Sequence, residues 1–349
     1  MSRSFGGLFD KLTSFENLLG AYLRARRGKR AEPAVARFEM GLEHQLLGLQ
    51  RELVAGAWRP GPYRSFYVHE QKKRLITAAP FRDRVVHHAL LAVLEPVYEP
   101  CFIHDSYACR EGKGQHAAIN RFQHWARGRR FVLRGDVRKF YPSVDHELLL
   151  ALLSRRIRDR RVLRLCRSIL DSGAGILEPE YELAWYPGDD LFSPLARKRG
   201  LPIGNLSSQF FGNVYLNGLD HFVKERLCCR RYLRYMDDFA VFDDSKARLA
   251  QARRRIGCFL AGLRLEPAAG RTRVWRTSDG VEFLGFRVYP GHRLVRKVTA
   301  FRYGRRLSRL RKDQVSKSLT AWFGHTCHGD CFRINRLVLA RAGLLAAGT

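Results

Sequence analysis

Hydrophobic positions repeat with a helical period at both ends of the chain and with a strand-like pattern in its middle. Over about residues 1–60, Phe38, Leu42, Leu46, Leu47 and the stretch 49–53 form an apolar stripe that predicts helices. A basic loop, 24–30, separates two of them. Strand-like runs follow at 63–69 and 74–78, and a helix is predicted across 81–99.

The middle of the chain predicts short strands that end in acidic residues. Phe131-Val-Leu133 is an apolar strand ending in Gly135-Asp136, and Asp145 is placed to cap the next helix. Residues 173–200 read as a loop-like insertion, and an amphipathic helix covers about 207–227. Two β-type runs then flank Met236-Asp237-Asp238, which predicts a hairpin with two carboxylates at its turn.

The remaining elements predict an α+β fold. A helix at about 245–262 and strands near 273–276 and 281–289 complete the central unit. The order β-α-(α)-β-β-α-β favours an antiparallel sheet with helices on one face. From Arg296 onward the chain is basic and helical in pattern, with a basic helix expected from about Arg302 to Lys317.

Charge narrows the range of functions. The chain has 349 residues, 46% of them hydrophobic, and a net charge of +30. An excess of this size indicates a polyanionic partner, because Lys and Arg facing phosphates release condensed counterions. Charge alone leaves open a ribosome-associated or merely basic soluble protein.

The sequence gives little evidence of a targeting signal or of a zinc site. The start lacks a signal-peptide pattern and no apolar run is long enough to span a membrane, so we expect a cytoplasmic protein with no membrane partner. The eight cysteines then read as thiols. His325, Cys327, His328 and Cys331 could donate to zinc, but no second well-spaced pair accompanies them.

Three aspartates carry the candidate chemistry. Asp136, Asp237 and Asp238 would form a negative cluster at strand ends, and such a cluster is costly unless it binds divalent cations. Mg²⁺ prefers carboxylate oxygens and substrate phosphates, and two such ions can activate a 3′-hydroxyl and stabilise a leaving pyrophosphate. Read alone, an Asp-Asp pair at a turn is equally well explained by turn chemistry.

The order of several motifs makes the pattern specific. After Asp136 come Phe140-Tyr141, Leu201-Pro-Ile-Gly-Asn205, Tyr235-Met-Asp-Asp238 and Phe283-Leu-Gly-Phe286. This series resembles the palm motifs of reverse transcriptases, over about residues 60–345. Within that family it is most similar to the enzymes of diversity-generating retroelements. That similarity is carried by Phe15-Glu-Asn-Leu-Leu, Phe81–Leu90, Ser106–Gly114, Leu201–Gln209 and Trp322-Phe-Gly-His.

The resemblance implies a right-hand polymerase. Its helical N-terminal extension and fingers would span 1–130, a ferredoxin-like palm 131–290 with the fingers-linked insertion 173–200, and a helical thumb 291–349. It implies two Mg²⁺ ions, template RNA, a cDNA or primer strand, deoxynucleotides and an oligomeric accessory variability protein. At this length we expect no RNase H, integrase or endonuclease domain.

The resemblance also implies roles for single residues. Asp136 and Asp237 would hold both metal ions, with the carbonyl of Val137 completing a shell and Asp238 adding charge. Arg110 and Lys113 would contact the template or primer backbone. Tyr141 would exclude a 2′-hydroxyl by its bulk, unless it is ordinary core packing. The full nucleotide-binding set is Lys73, Arg74, Arg84, Tyr141, Ile203, Gly204, Gln209 and Arg271; for any single cation, a solvated surface position is the alternative.

Two departures from the family pattern are informative. Most reverse transcriptases have a glutamine where this chain has Ile203, which supplies shape but no hydrogen bond. In the resembled subfamily this replacement accompanies error-prone copying opposite template adenines, although Ile203 could simply pack the start of the helix. Arg271-Thr272 stands where relatives often have a lysine, and arginine is a poor proton donor.

Two alternatives to this function stay open at the sequence level. One is a retron-like or phage-defence reverse transcriptase, which would keep the fold and the chemistry but serve another purpose. The other belongs to a different class, a non-catalytic RNA-binding relative of maturases. The three aspartates argue against the second alternative, because a scaffold has no use for ion-binding carboxylates.

Overall fold

The computed structural model describes residues 4–69 and 73–345. They form a mixed helical and sheet structure with antiparallel sheets, which confirms the predicted α+β class. The helices are α1 (Leu8–Thr13), α2 (Phe15–Ala25), α3 (Pro33–Met40), α4 (Leu42–Val54), α5 (Phe81–Tyr98), α6 (Gln115–Arg127), α7 (Phe140–Ser143), α8 (His146–Ser154), α9 (Arg160–Gly173), α10 (Ser193–Ala196), α11 (Leu206–His221), α12 (Lys246–Gly262), α13 (Lys297–Leu307), α14 (Lys312–Thr326) and α15 (Phe332–Arg341). The strands are β1 (Arg64–His69), β2 (Lys73–Ala78), β3 (Phe131–Asp136), β4 (Tyr232–Tyr235), β5 (Asp238–Asp243), β6 (Arg273–Arg276), β7 (Val281–Phe283), β8 (Phe286–Val288) and β9 (Arg293–Val295).

The N-terminal helices pack around α5. Its residues Val85, Leu90 and Leu94 have no exposed surface, because α1, α2, α3 and the later helix α11 pack against it. Between α4 and α5, β1 and β2 form an antiparallel hairpin. The predicted strands at 63–69 and 74–78 and the helix at 81–99 are therefore confirmed to within one residue at each bound.

The central sheet has four strands in the order β4-β5-β3-β6, and each neighbouring pair is antiparallel. Alternate residues of its strands point to opposite faces. One face, with Leu133 and Val241, packs in the larger core beside α11 and α12. The other face, with Val132 and Phe242, packs on α6.

Helices therefore cover both faces of the central sheet, and the expectation of helices on one face was wrong. The physical reason is that β3, β4 and β5 are apolar on both sides, so each side needs a covering layer. Phe122 of α6 meets the ring of Phe242 at 4.8 Å between centroids and supplies part of that second layer.

The strands near 281–289 were expected to complete the central sheet, and this expectation was wrong. They form β7 and β8 of a separate three-stranded sheet, in the order β7-β8-β9. Phe122 lies between the two sheets, because its ring also stacks on Phe283 with 4.6 Å between centroids. The Leu284-Gly285 turn has φ values of 44° and 87°, which forces the chain back after three residues of β7.

The basic segment from Arg302 to Lys317 is two helices and not one. Helix α13 ends at Leu307 and α14 begins at Lys312. The break lets α14 fold back so that Trp322 stacks on Tyr303 of α13, with 4.1 Å between ring centroids and an interplanar angle of 5°. A continuous helix could not bring these two rings together.

The stretch 173–200 is largely irregular, as predicted, with only a short turn of helix at Glu178–Glu180 and the four-residue α10. Within the part of the chain that the structure describes, no helix is long and apolar enough to cross a membrane.

A buried ion pair lies where the central sheet meets α11. Arg234 of β4 has no exposed surface and donates from Nε and Nη2 to the two carboxylate oxygens of Asp220, each at 2.7 Å. The Tyr232 hydroxyl donates to the same carboxylate at 2.7 Å. Arg234 Nη1 also donates to the carbonyl of Met236 at 3.0 Å and to Asn213 Oδ1 at 3.1 Å. All three nitrogens of the Arg234 guanidinium and both oxygens of the Asp220 carboxylate are therefore hydrogen-bonded.

We predict that Arg234→Met destabilises the protein by about 3–5 kcal/mol, because it leaves the Asp220 carboxylate buried without its cation. Urea unfolding monitored by circular dichroism measures the loss. Arg167→Met is the control, because its ion pair with Glu147 is exposed and worth at most about 1 kcal/mol. Equal unfolding midpoints for wild type and Arg234→Met would contradict this account.

Candidate active site

The three aspartates converge at one end of the central sheet. β3 ends at Asp136, which is paired across the ladder with Asp238 of β5. β4 and β5 form a tight hairpin in which Tyr235 pairs with Asp238, so Met236 and Asp237 make the turn. The amide of Val137 donates to the carbonyl of Asp237 at 3.2 Å, which ties the end of β3 to this turn.

The turn needs an unusual backbone conformation. Met236 has φ of 54°, a left-handed value that is uncommon for a residue with a side chain. Its side chain is buried, and Arg234 donates to its carbonyl, so the surrounding structure holds the strained residue in place.

Gly135 allows the sheet to close next to the carboxylates. A Cβ at this position would lie 2.1 Å from the ring of Phe239, its partner on β5. No side chain therefore fits here, and glycine keeps Asp136 in register with Asp238.

Crowding perturbs the acidity of the carboxylates. Burial, followed by the charges of Asp136 and Asp238, raises the pKa of Asp237 from 3.8 to about 7. Burial likewise raises the pKa of Asp238, although the neighbouring Arg134 partly offsets this. Groups that are forced together at such a cost are candidates for binding a counter-cation.

Two arginines hold carboxylates of the cluster. Arg271 Nη1 donates to Asp136 Oδ2 at 2.7 Å, and Arg134 Nη2 donates to Asp238 Oδ1 at 3.0 Å. As they stand, no three His, Cys, Asp or Glu side chains in 4–69 and 73–345 are arranged to hold a metal ion. The donors are nevertheless hard oxygens, which Mg²⁺ prefers, and turning Asp136 and Asp238 away from the arginines would free them.

Two further predicted residues lie near the cluster. Tyr141 is largely buried, and burial raises its pKa; the charges of Asp237 and Arg74 also act on its hydroxyl. Arg74 acts on Asp237 as well, and lowers its pKa. Tyr141 of α7 and Arg74 of β2 therefore lie close enough to Asp237 to interact with it electrostatically.

The turn before α11 is hydrogen-bonded to β2. The amide of Thr77 donates to the carbonyl of Ile203 at 2.7 Å, and Asn205 Nδ2 donates to the carbonyl of Thr77 at 3.0 Å. Gly204 has φ of 117°, and a Cβ there would meet Ile76 Cγ2 at 3.1 Å. The half-buried Ile203 side chain is thus positioned by a turn that only glycine can complete.

The segment that contains Ile203 is also hydrogen-bonded to α7. The amide of Leu201 donates to the carbonyl of Tyr141 at 2.8 Å, which joins the segment 201–205 to α7. Gln209 follows in the first turn of α11, where it is half-buried.

The other predicted cations have partners of their own. Arg84 Nε donates to the carbonyl of Ala79 at 2.8 Å. Arg110 is almost fully buried and donates to Glu99 Oε1 at 2.6 Å and to the carbonyls of Ile103 and Ser106. Arg110 could contact the backbone of a template or primer only if these hydrogen bonds were broken.

Lys113 and Lys73 are the remaining two predicted cations. The ammonium of Lys113 lies 5.5 Å from the ring centroid of Tyr107, and burial followed by the charge of Arg110 lowers the pKa of Lys113. β2 begins at Lys73, whose side chain lies outside the described part of the chain.

Sequence reasoning missed the arginines that surround the cluster. Arg134 and Arg234 lie on strands β3 and β4 at the site, yet an arginine in a short strand usually indicates a solvated face. The signal that could have found Arg234 is its place in an otherwise apolar run, Tyr232–Tyr235, next to the carboxylate turn.

Among the residues that the structure describes, His325, Cys327, His328 and Cys331 do not form a group of three side chains that could hold a metal ion. Cys327 is exposed and Cys331 is buried, and both are free thiols. His328 stacks face to face on His116, with 3.7 Å between ring centroids.

Comparison with known proteins gives a consistent result. A family model described as reverse transcriptase (RNA-dependent DNA polymerase) matches residues 65–288, which is more than half of the chain and includes all three aspartates. Protein YkfC of Escherichia coli (strain K12) is 27% identical over 317 residues, covering 78% of this chain and 78% of YkfC.

Other relatives are longer proteins connected with introns. The group II intron-encoded protein LtrA of Lactococcus lactis subsp. cremoris is 27% identical over 185 residues, 52% of this chain and 28% of LtrA. Nuclear intron maturase 1, mitochondrial, of Arabidopsis thaliana is 36% identical over 90 residues, 26% of this chain and 13% of the maturase. The chain spans less than a third of either of these relatives.

We predict a pH-dependent stabilisation by Mg²⁺. Because the pKa of Asp237 is raised from 3.8 to about 7 on folding, the metal-free protein loses stability as pH rises through that window. Mg²⁺ binds carboxylates in their ionised form, so we expect the increase in melting temperature on adding Mg²⁺ to be larger at about pH 8 than at about pH 6.

Asp237→Asn should reduce the pH dependence of the Mg²⁺ effect, because the asparagine has no proton for the metal to displace and only the raised pKa of Asp238 still contributes. Asp243→Asn, at the other end of β5, is the matched control and should behave as wild type. Differential scanning fluorimetry measures both. An equal Mg²⁺ effect at the two pH values would contradict the prediction.

Proposed function

The chain belongs to the reverse transcriptase family, and from that premise we propose that it is an active RNA-directed DNA polymerase that extends a primer with deoxynucleotides. The observation that carries the proposal is the convergence of Asp136, Asp237 and Asp238 at the end of the central sheet. Crowded carboxylates cost stability, and a chain that only bound RNA as a scaffold would gain nothing from them. This reasoning favours catalysis over a purely RNA-binding role of the kind a maturase relative could have.

Two Mg²⁺ ions are the cofactors that we propose for this site. Asp136 and Asp237 would hold them, with the carbonyl of Val137 and the Asp238 carboxylate as further oxygen donors. Bound there, the ions would activate the primer 3′-hydroxyl and neutralise the leaving pyrophosphate. Arg271 and Arg134 hold the Asp136 and Asp238 carboxylates in the metal-free protein, and both carboxylates would turn away from these arginines to bind the ions.

The nucleotide pocket would be built around Tyr141. Its ring packs against Phe140 with 5.4 Å between centroids, which limits its movement. A rigid aromatic at this position would exclude a 2′-hydroxyl and so select deoxynucleotides. Arg74, together with Lys73 and Arg84 of the same region, would neutralise the triphosphate, and Arg271 would stabilise charge without donating a proton.

The architecture supports a right-hand polymerase. In chain order the strands of the central sheet lie 2-3-1-4, the antiparallel arrangement expected for a ferredoxin-like palm. We propose fingers over 1–130, a palm over 131–290 with the insertion 173–200, and a thumb over 291–349. In the thumb, α13 and α14 would contact the phosphates of the template-primer duplex. Arg110 and Lys113, in the fingers, would contact other parts of the template or primer backbone.

We propose further that the enzyme serves a diversity-generating retroelement and copies its template RNA with low fidelity. Ile203 supports this, because an apolar side chain beside the nascent pair removes one polar check on its geometry. An oligomeric accessory variability protein would bind the polymerase. A retron-like or phage-defence role is the alternative. A pair of repeats beside the gene that differ at adenines would favour the diversity-generating role over this alternative.

Primer extension on an RNA template with Mg²⁺ tests the central proposal. Wild type should extend the primer, and Asp237→Asn should lower the rate by at least about a hundredfold, because it removes a shared metal ligand. Asp243→Asn changes the same chemistry at the far end of the same strand and should extend as wild type does. Equal extension by wild type and Asp237→Asn would refute the proposal.

Sequencing the cDNA tests the role of Ile203. Ile203→Gln should lower misincorporation opposite template adenines by roughly fivefold, about what one hydrogen bond of ~1 kcal/mol provides. Ile203→Leu, which keeps the apolar character, should leave the error rate as it is. An unchanged error rate at adenine in the glutamine variant would remove Ile203 from the explanation of low fidelity.

A further inference from the structure

An arginine-rich segment lies on elements that carry none of the candidate site residues. Residues 155–167 include seven arginines, and the one acidic residue among them is Asp159. Both oxygens of the Asp159 carboxylate accept backbone amides: Oδ2 from Phe9 at 2.9 Å and Oδ1 from Arg161 at 3.1 Å. The acid therefore anchors α1 and caps α9, and it pairs with none of these arginine side chains.

Helix α9 separates its apolar and basic residues cleanly. Val162, Leu165, Cys166 and Ile169 are buried against α8 and α1. Arg160, Arg164 and Arg167 recur at intervals of four and three residues on the opposite face, where they are exposed. Together with Arg155 and Arg158 just before the helix, they form what we call the α9 basic face.

Most of this charge is not neutralised within the protein. Among the described residues, Arg155, Arg158, Arg160 and Arg164 have no carboxylate within ion-pair distance. Only Arg167 of the face has a partner, Glu147, and that pair is exposed. Five guanidinium groups on one short stretch repel each other, so the surface favours an anion that can bridge them.

Two grooves border part of the basic face. One, of about 480 Å³, is lined by α1, α4 and α9, and Arg59 and Ser168 contribute polar groups to it. The other, of about 450 Å³, runs between α8 and α9. Arg164 and Arg167 line both grooves and so form the ridge between them.

One arginine beside the face is already fixed in position. The guanidinium of Arg161 lies 3.8 Å from the centroid of the Phe9 ring, which holds it at the wall of the larger groove. A pre-positioned cation loses less conformational entropy when it binds a phosphate.

We propose that the α9 basic face binds the phosphodiester backbone of structured RNA outside the polymerase cleft, without regard to its sequence. The proposal rests on the proposed use of an RNA template and adds a second contact to it. None of the three aspartates or the nucleotide-pocket residues lies on α1, α4, α8 or α9. The face would anchor a part of the template RNA that is not being copied.

The chemistry favours RNA over a membrane surface. A helix that binds a bilayer needs an apolar face free to enter it. The apolar face of α9 is packed in the core, and none of the large side chains over 155–173 that are strongly exposed is hydrophobic. Arginine also recognises phosphate groups through its planar, forked donors, and ridge-and-groove relief suits a folded polyanion.

A binding experiment tests the proposal on the full chain. The probe is a blunt RNA hairpin of about 40 nucleotides with no primer, followed by fluorescence anisotropy over a range of salt concentrations. The variant is Arg158→Gln/Arg160→Gln/Arg164→Gln. The control, Arg226→Gln/Arg253→Gln/Arg254→Gln, removes the same number of exposed charges elsewhere.

We expect the variant of the basic face to bind at least about tenfold more weakly at ~150 mM salt, with a salt dependence lower by about two to three counterions. The control should stay within about threefold of wild type. Equal weakening by both variants would mean that net charge alone drives binding, and would overturn the proposal. Thermal unfolding verifies that both variants fold.

A second assay keeps this inference separate from the proposed polymerase activity. On a template-primer duplex of about 20 base pairs, the variant should extend the primer as wild type does. Loss of extension on that duplex would place the face in the polymerase cleft and overturn the inference. Failure of the wild type to extend any primer would refute the polymerase proposal and leave hairpin binding to be judged alone. Loss of binding to anionic phospholipid vesicles with hairpin binding intact would assign the face to a membrane and refute the RNA proposal.

Discussion

Repulsion among three carboxylates is the constraint around which the centre of this molecule is organised. Asp136, Asp237 and Asp238 are brought together by the ladder between β3 and β5 and by a two-residue turn. Arg134 and Arg271 each bind one of the carboxylates directly. Arg234 acts behind them, through the Met236 carbonyl and the buried pair with Asp220. Cations thus surround the cluster from three strands or loops, which is how a fold can retain negative charge that it does not neutralise fully.

Close packing around the carboxylate turn requires glycine at two nearby positions, Gly135 and Gly212. Gly135 lets the Phe239 ring lie directly over β3, and Gly212 of α11 lies against Met236 and Phe140. A Cβ at Gly212 would meet Phe140 Cε1 at 3.0 Å and Met236 Sδ at 3.2 Å. The helix therefore approaches the turn closely enough to bury Met236, and that burial holds the left-handed residue from which Asp237 follows.

Much of the fold could be predicted from the sequence because its local signals are strong. The β1–β2 hairpin, α5, the Asp145 cap of α8 and the β4–β5 hairpin all appear where patterning and turn chemistry predicted them. Errors arose where tertiary contacts decide. No local sequence signal indicates that α6 covers the second sheet face, that β7 leaves the central sheet, or that Tyr303 and Trp322 require a break between α13 and α14.

The aspartates of the candidate site could be predicted because their spacing relative to other motifs is informative. Arg234 was not, because a fully buried arginine is rare and depends on a partner, Asp220, that lies on another element.

The hydrogen bonds between β2 and the turn at Ile203-Gly204-Asn205 have a mechanical consequence. Thr77 exchanges two hydrogen bonds with this turn, and the amide of Ala79 donates to Asn205 Oδ1 at 3.1 Å. A strand of the N-terminal region and the start of α11 are thereby joined as one body. Any hinge that opens or closes the proposed nucleotide pocket would lie outside this joint, so Arg74 and Ile203 would move together. In the proposed function, one rigid unit would then contact both the triphosphate, through Arg74, and the nascent base pair, through Ile203.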